Sequence, residues 1–524
     1  MLLISAIRKH VTRWLLAGSL PLLFSSCQTG LSTSSSSKSV SDPIITIRVD
    51  PAKTYQTMEH FGASDAWACQ FVGQWPDVKR NAIADLLFSR DFLPSGQPKG
   101  IGLSLWRFNI GAGTAEQGTD SGIRDEWRRA ESFLNPDGTY NWNKQAGQVW
   151  FLQAAKQRGV ENFLAFPNSP PVAYTANGKG YASNKIPNLN PDQFDRYGHY
   201  MSSVLKGLRT KTGITFNYIS PVNEPQWDWS DGGQEGSPFY NNQIAGITRA
   251  LSNALLVDQL PTKINVAEAG QLEFLYADHN RQGKGQQARA FFDKTSPDYL
   301  GDLPNLTRSI SAHSYFTTSP YDKAADIRKT VLNSLNKTPG LSYWMSEYCI
   351  LGDNGGEING SGKELGIDPA LYVAKVIHTD LVNANASAWH WWLAISPYNY
   401  KDGLIYIDKS KTDGRYQPSK MLWALGHYSR FIRPGAVRLD ATPESGNGLL
   451  VSAYKNTDSK LVIVAINPTN NDLAVKPSLL SGRLSNVRQY VTSATADLTP
   501  ATPNANRTSI PARSIVTLVG DLNS

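Results

Sequence analysis

Two glutamates stand out for where they lie. Glu224 sits in SPVNEPQWDWS (220–230), between an apolar run and two tryptophans, and Glu347 sits in YWMSEYC (343–349). A lone glutamate before a proline is ordinarily a solvated loop residue. Two of them at matched strand ends are different: one carboxyl can stay protonated and donate, while the other stays ionised and attacks carbon or activates water. Cleaving a glycosidic bond needs that division of roles.

Other chemistries lack their residues. The chain has no HExxH motif, no Cys/His cluster and no GxSxG elbow. GSGKE (360–364) lacks the first glycine of a phosphate loop and carries Glu364 where a hydroxyl belongs. No metal or cofactor is called for.

The elements that must position the pair recur at intervals. Apolar or β-branched runs appear as HFGAS (60–64), LSLWRFNIG (103–111), VENFLAFPNS (160–169), TFNYISPVNE (215–224), KINVAEAG (263–270), SISAHSY (309–315), LSYWMSE (341–347) and ASAWHWW (386–392). Helix-like segments such as FDRYGHYMSSVLKGLRTKTG separate them, with Gly159 and Gly213 placed as C-caps. Eight strand–helix units predict an α/β fold, a (β/α)8 barrel over residues 59–429. Glu224 ends the fourth run and Glu347 the seventh, so the two face each other across the barrel mouth, where such folds keep their chemistry. Past about residue 430, GLLVSAYKN, KLVIVAINP, NVRQYVTS and SIVTLVG read as strands with turns between them. They predict an antiparallel β-sandwich over 430–524, and the early strand IITIRVD in segment 44–58 is expected to join it.

The amino terminus reads as a targeting segment. Arg8, Lys9 and Arg13 precede the apolar LLAGSLPLLF, too short to span a bilayer, and LFSSC follows. That pattern resembles a bacterial lipoprotein signal over residues 1–26 with Cys27 as the lipidated residue; ordinary secretory cleavage nearby is the alternative. Residues 27–43 are a serine-rich tether. The expectation is an exported, lipid-anchored monomer, periplasmic or facing the cell surface. Removing residues 1–26 takes away three basic groups and lowers the formal charge from +7 to +4. No basic stripe with interleaved aromatics is present, which excludes nucleic acid as a partner. Aromatic content is high, with 14 Trp, 22 Tyr and 18 Phe, and suits a sugar-binding surface as well as a core. Cys69 and Cys349 either pair or remain two buried thiols.

HFGASDAW, LWRFNIGAG, SPVNEPQWDW, AHSY, WMSEY and AWHWW together resemble glycoside hydrolase family 30, a group of retaining (β/α)8 enzymes with an attached β-sandwich. The resemblance spans residues 44–524. It implies Glu224 as acid/base, Glu347 as nucleophile, and Asn223 as the side chain that bonds the sugar 2-hydroxyl. Arg107 is expected beside the nucleophile and Tyr315 bonded to it. Asp65, Trp67, Asn168 and His313 are expected to line the rim, His313 either as a sugar contact or as a packed core residue. Of Trp391 and Trp392, one should floor the subsite before the scissile bond and the other be core; Trp391 is the candidate for the floor. Trp227 is expected on the leaving-group side. Glu235, in QEGSPF, either contacts substrate or is a loop carboxylate. QWDW with QEG is most like the endo-β-1,6-galactanase branch. β-1,6-Glucanase, exo-β-glycosidase and xylanase activities, or glycan binding without turnover, are the alternatives.

Overall fold

The computed structural model of the protein describes residues 44–444, 448–504 and 507–523. The leader, the tether and Cys27 lie outside the described residues. Strand β1 (Ile45–Thr57) comes first and is followed by eight parallel strands: β2 (His60–Ser64), β3 (Leu105–Ile110), β4 (Asn162–Pro167), β5 (Tyr218–Ile219), β6 (Lys263–Ala269), β7 (Leu306–His313), β8 (Ser342–Tyr348) and β9 (Ala386–Ser396). β9 pairs with β8 on one side and with β2 on the other, so the sheet closes into a barrel. Every residue of β2, β3 and β9 is buried, as strands covered on both faces require. β10 (Gly403–Ile407) extends alongside the end of β9, and β11 (Tyr416–Pro418) pairs antiparallel with it.

Two local features bear on the site. The fourth run forms ladder only at Tyr218–Ile219. Pro221 has no N–H to give the ladder, so the chain leaves the strand before it reaches Glu224. The helix Phe194–Thr212, which leads into β5, ends at Gly213 in the left-handed conformation, φ 70°, a geometry cheap only for glycine.

The second sheet comprises β12 (Val437–Pro443), β13 (Leu450–Lys455), β14 (Lys460–Asn467), β15 (Leu473–Leu479), β16 (Arg483–Thr492), β17 (Thr499–Ala501), β18 (Thr508–Ile510) and β19 (Ser514–Asn523). β1 lies within it, antiparallel to β12 and parallel to β15. Alternation along β14 serves two cores at once. Leu461, Ile463 and Ala465 enter the sandwich interior, while Val462, Val464 and Ile466 join the barrel-side core. The helix Lys420–Ser429 carries that joint, and its His427 Nδ1 lies 2.8 Å from Thr517 Oγ1 of β19. No helix among the described residues is long and apolar enough to cross a membrane.

Candidate active site

Glu224 and Glu347 meet at the carboxyl ends of the barrel strands. One carboxylate oxygen of each, with a ring nitrogen of His313, lie within 4.8 Å of one another. Glu224 holds a left-handed backbone, φ 44°, and its N–H bonds the Glu268 carbonyl at 2.9 Å. Glu347 reaches the same place from β8 through a β-bulge: Ala312 pairs with Met345, but His313 pairs with Glu347, so Ser346 is skipped. Bulges of this kind re-aim side chains beside active sites.

The two carboxyls have different surroundings. Glu347 accepts from Arg107 Nη1 at 2.5 Å and from the Tyr315 hydroxyl at 3.0 Å. Arg107 also donates to Asn223 Oδ1 at 2.9 Å and lies 3.6 Å above the Phe166 ring. Glu224 has one bond to an ionisable partner, His313 Nδ1 at 2.9 Å. Burial pushes the Glu224 carboxyl up and the charge of Glu347 adds to it; His313 pulls the other way without cancelling the rise. One carboxyl is therefore set up to hold a proton beside another that is ion-paired. This is the arrangement that divides acid from nucleophile.

A third glutamate was not singled out from the sequence. Glu268, in β6, is fully buried and accepts from Arg107 Nη2, His313 Nε2, Ser220 Oγ and Ser346 Oγ at 3.2, 3.0, 2.7 and 2.8 Å. Burial opposes its charge, but Arg107 first, then His313 and Ser220, hold its carboxyl well below the usual range. The signal available was its place inside an apolar strand, where an acid is costly unless paired.

The model of O-Glycosyl hydrolase family 30 matches residues 44–406, and that of the Glycosyl hydrolase family 30 beta sandwich domain matches residues 435–518. The chain belongs to glycoside hydrolase family 30. It is an O-glycosyl hydrolase acting on glycans. Among its relatives, an endo-beta-1,6-galactanase of Hypocrea rufa is 25% identical over 438 residues, 80% of this chain and 81% of that one. A glucuronoxylanase of Bacillus subtilis is 32% identical over 463 residues, 84% of this chain and 91% of the other. A conserved exported protein from Bacteroides fragilis, known as a crystal structure, is 34% identical with a TM-score of 0.85, covering 90% of this chain and all of that one.

The remaining residues of this family 30 site fall into three groups. Asn223 Nδ2 donates to Asn168 Oδ1, and Asn168 Nδ2 to Asn109 Oδ1, both at 3.2 Å. That chain fixes which way the Asn223 amide faces. Asp65 accepts from Asn109 N at 2.8 Å and from Gln148, and burial pushes it up to about 8. Trp227, half-buried, meets Phe274 and the exposed Phe316 edge-on at 5.8 and 6.0 Å.

One expectation is corrected, and two open alternatives, at His313 and Glu235, fall on the structural side. Trp391 is core: it is fully buried and its indole bonds the Asp402 carbonyl at 2.7 Å. Trp392 faces the site instead, 5.4 Å from Trp67 and 6.3 Å from Phe166. The reason is parity, since His390 points inward to His60 and the alternate residue Trp392 follows it. His313 does not touch the cleft; it is fully buried with both ring nitrogens bonded to carboxylates. Glu235 is a clasp, accepting from Ala112 N and, at 2.6 Å, from Thr114 Oγ1. Cys69 and Cys349 are free, buried thiols.

Proposed function

We propose that the enzyme cleaves β-glycosidic bonds with retention, and that its substrate is a β-1,6-galactan cut internally. Glu347 attacks the anomeric carbon while protonated Glu224 donates to the departing oxygen. Glu224, now a carboxylate, then takes a proton from water as the water oxygen bonds that carbon and the bond from the carbon to Glu347 breaks, returning Glu347 as a carboxylate. What supports this is the approach of the two carboxylates to within 4.8 Å, the close spacing of retaining rather than inverting enzymes. Trp392 and Trp67 would carry sugar before the scissile bond, and Trp227 with Phe316 the leaving side. The 25% identity to the endo-beta-1,6-galactanase over 80% of the chain supports the galactan. The 32% identity to the glucuronoxylanase supports glucuronoxylan as a second reading. An exported place of work agrees with the leader-like residues 1–26 and with the Bacteroides fragilis relative.

Two measurements test this. Digests of β-1,6-galactan, glucuronoxylan and β-1,6-glucan, with product lengths by mass spectrometry, decide the substrate; absence of oligomers from galactan removes the first choice. Glu347→Gln should abolish turnover of every substrate. Glu224→Ala should lose about 10² to 10⁴ in rate on glycans yet keep turnover of aryl glycosides, whose leaving groups scarcely need a proton. Equal losses on both would refute the roles.

A further inference from the structure

Glu268 and His313 form the layer beneath the catalytic pair. A carboxylate ringed by a guanidinium, an imidazole and two hydroxyls, as Glu268 is, stays ionised, and an ionised carboxylate can only accept. The Nε2 of His313, 3.0 Å away, must therefore carry hydrogen. That settles one end of the ring. At the other end, Nδ1 lies 2.9 Å from Glu224 Oε1 but 3.6 Å from Glu347 Oε1, so only Glu224 is within hydrogen-bond reach.

Two states of the ring remain. Were it neutral, bare Nδ1 would have to accept, and Glu224 would aim its proton at the ring and away from the sugar. Were it an imidazolium, Nδ1–H would donate to Oε1, and the acidic proton of Glu224 would rest on Oε2, free for a glycosidic oxygen. The surroundings favour the cation. Glu224 from the loop after β5, Glu268 from β6 and Glu347 from β8 face the ring, with Tyr315 edge-on at 5.8 Å. Arg107 from β3 stands behind Glu268, and His390 of β9 is itself held neutral, burial pushing it down to about 3. Burial alone would strip the charge from His313; Glu347 first, and then Glu268, both ion-paired to Arg107, raise it even when Glu224 holds its proton.

We propose that Glu268 is a positioning residue for the acid/base: it keeps His313 protonated on both nitrogens, so that Nδ1–H occupies Glu224 Oε1 and turns the transferable proton of Glu224 toward the leaving group. This rests on the reading of Glu224 as acid/base. The imidazolium keeps both protons through the cycle; the only proton that moves is that of Glu224, to the departing oxygen and back from water. As negative charge grows on Glu224, the bond from Nδ1–H strengthens, so it acts more in the transition state than before it.

The test is Glu268→Gln, followed by kcat/KM against pH on an oligosaccharide and on a dinitrophenyl glycoside. With its counter-charge gone, the ring should release the Nδ1 proton. Oligosaccharide cleavage should fall about tenfold to 100-fold while the dinitrophenyl glycoside is nearly unaffected. The alkaline limb should move to higher pH, because Glu224 no longer faces a cation. Equal losses on both substrates with an unmoved limb, the behaviour of a merely structural glutamate, would overturn the proposal. Should the variant not fold, ¹⁵N NMR of the wild-type His313 ring decides: two protonated nitrogens at about pH 6 support it, and one sinks it. Failure of the acid/base reading is distinguishable, since Glu224→Ala would then lose both substrates alike while His313 stayed doubly protonated.

Discussion

The last two tryptophans of AWHWW show how a one-residue difference separates packing from function. Trp391 is fully enclosed and bonded to the Asp402 carbonyl; Trp392, only slightly exposed, stands beside Trp67. Trp391→Ala should cost about 3–5 kcal/mol of stability, as large-to-small changes in a close-packed core do. Trp392 is also largely buried, packed on Trp67 and Phe166, so Trp392→Ala should cost stability as well, but unlike Trp391→Ala it should raise KM for oligosaccharides. Denaturant unfolding and steady-state kinetics of the two variants check this; a KM effect confined to Trp391→Ala would reverse the assignment. The sequence made Glu224 and Glu347 legible because each closes an apolar run at a strand end. It left open which tryptophan faces the sugar, because parity in β9 depends on its register against β2, where a bulge separates the Ala63–Trp391 and Ser64–Leu393 pairs. Glu268 went unread for a related reason. Its partners, Arg107, Ser220, His313 and Ser346, are 161, 48, 45 and 78 residues away, and only the closed barrel brings them together.

At the level of elements, the loops after β3 and β5 are fastened to one another. Glu235 binds Ala112 N and Thr114 Oγ1 from inside the joint, and burial pushes its carboxyl up to about 7, the hydrogen bonds offsetting only part of the rise. An acid whose folded value is raised favours the neutral form in the folded state. Below pH of about 4, folded and unfolded chains both hold the proton and nothing is lost. Between about pH 4.5 and 7 the unfolded chain releases the proton first, so stability falls with rising pH; above 7 it levels off. Glu235→Gln mimics the protonated form at every pH. Its melting temperature should match wild type near pH 4.5 and exceed it near pH 7.5, by an amount worth up to about 3 kcal/mol. A difference independent of pH would mean that the clasp does not titrate. The strand count was readable because runs buried on both faces stay largely apolar, as residues 163–167 of β4 do. The bulges at His313 and in β9 were not, since a bulge changes no residue type and only shifts which neighbour a residue meets.

For the whole molecule, the question is whether barrel and sandwich are separable. β14 argues that they are not, because its two faces belong to two cores and removing either exposes three apolar side chains. β1 adds to this: the segment that enters the first barrel strand is also an inner strand of the second sheet, between β12 and β15. Burying each valine or isoleucine of the joint contributes about 1.5–3 kcal/mol, so Val462, Val464 and Ile466 together are comparable to the whole stability margin of a typical domain, about 5–15 kcal/mol. Calorimetry should therefore show one unfolding transition. Val464→Asp places a carboxylate without a partner where the side chain is fully buried, and should lower that transition as a whole. Loss of hydrolytic activity on heating should then coincide with loss of the sandwich, measured as cleavage by protease within residues 430–524. If the variant instead showed two transitions, with activity surviving the first, the sandwich would be a detachable module, and the double service of β14 would have no energetic weight.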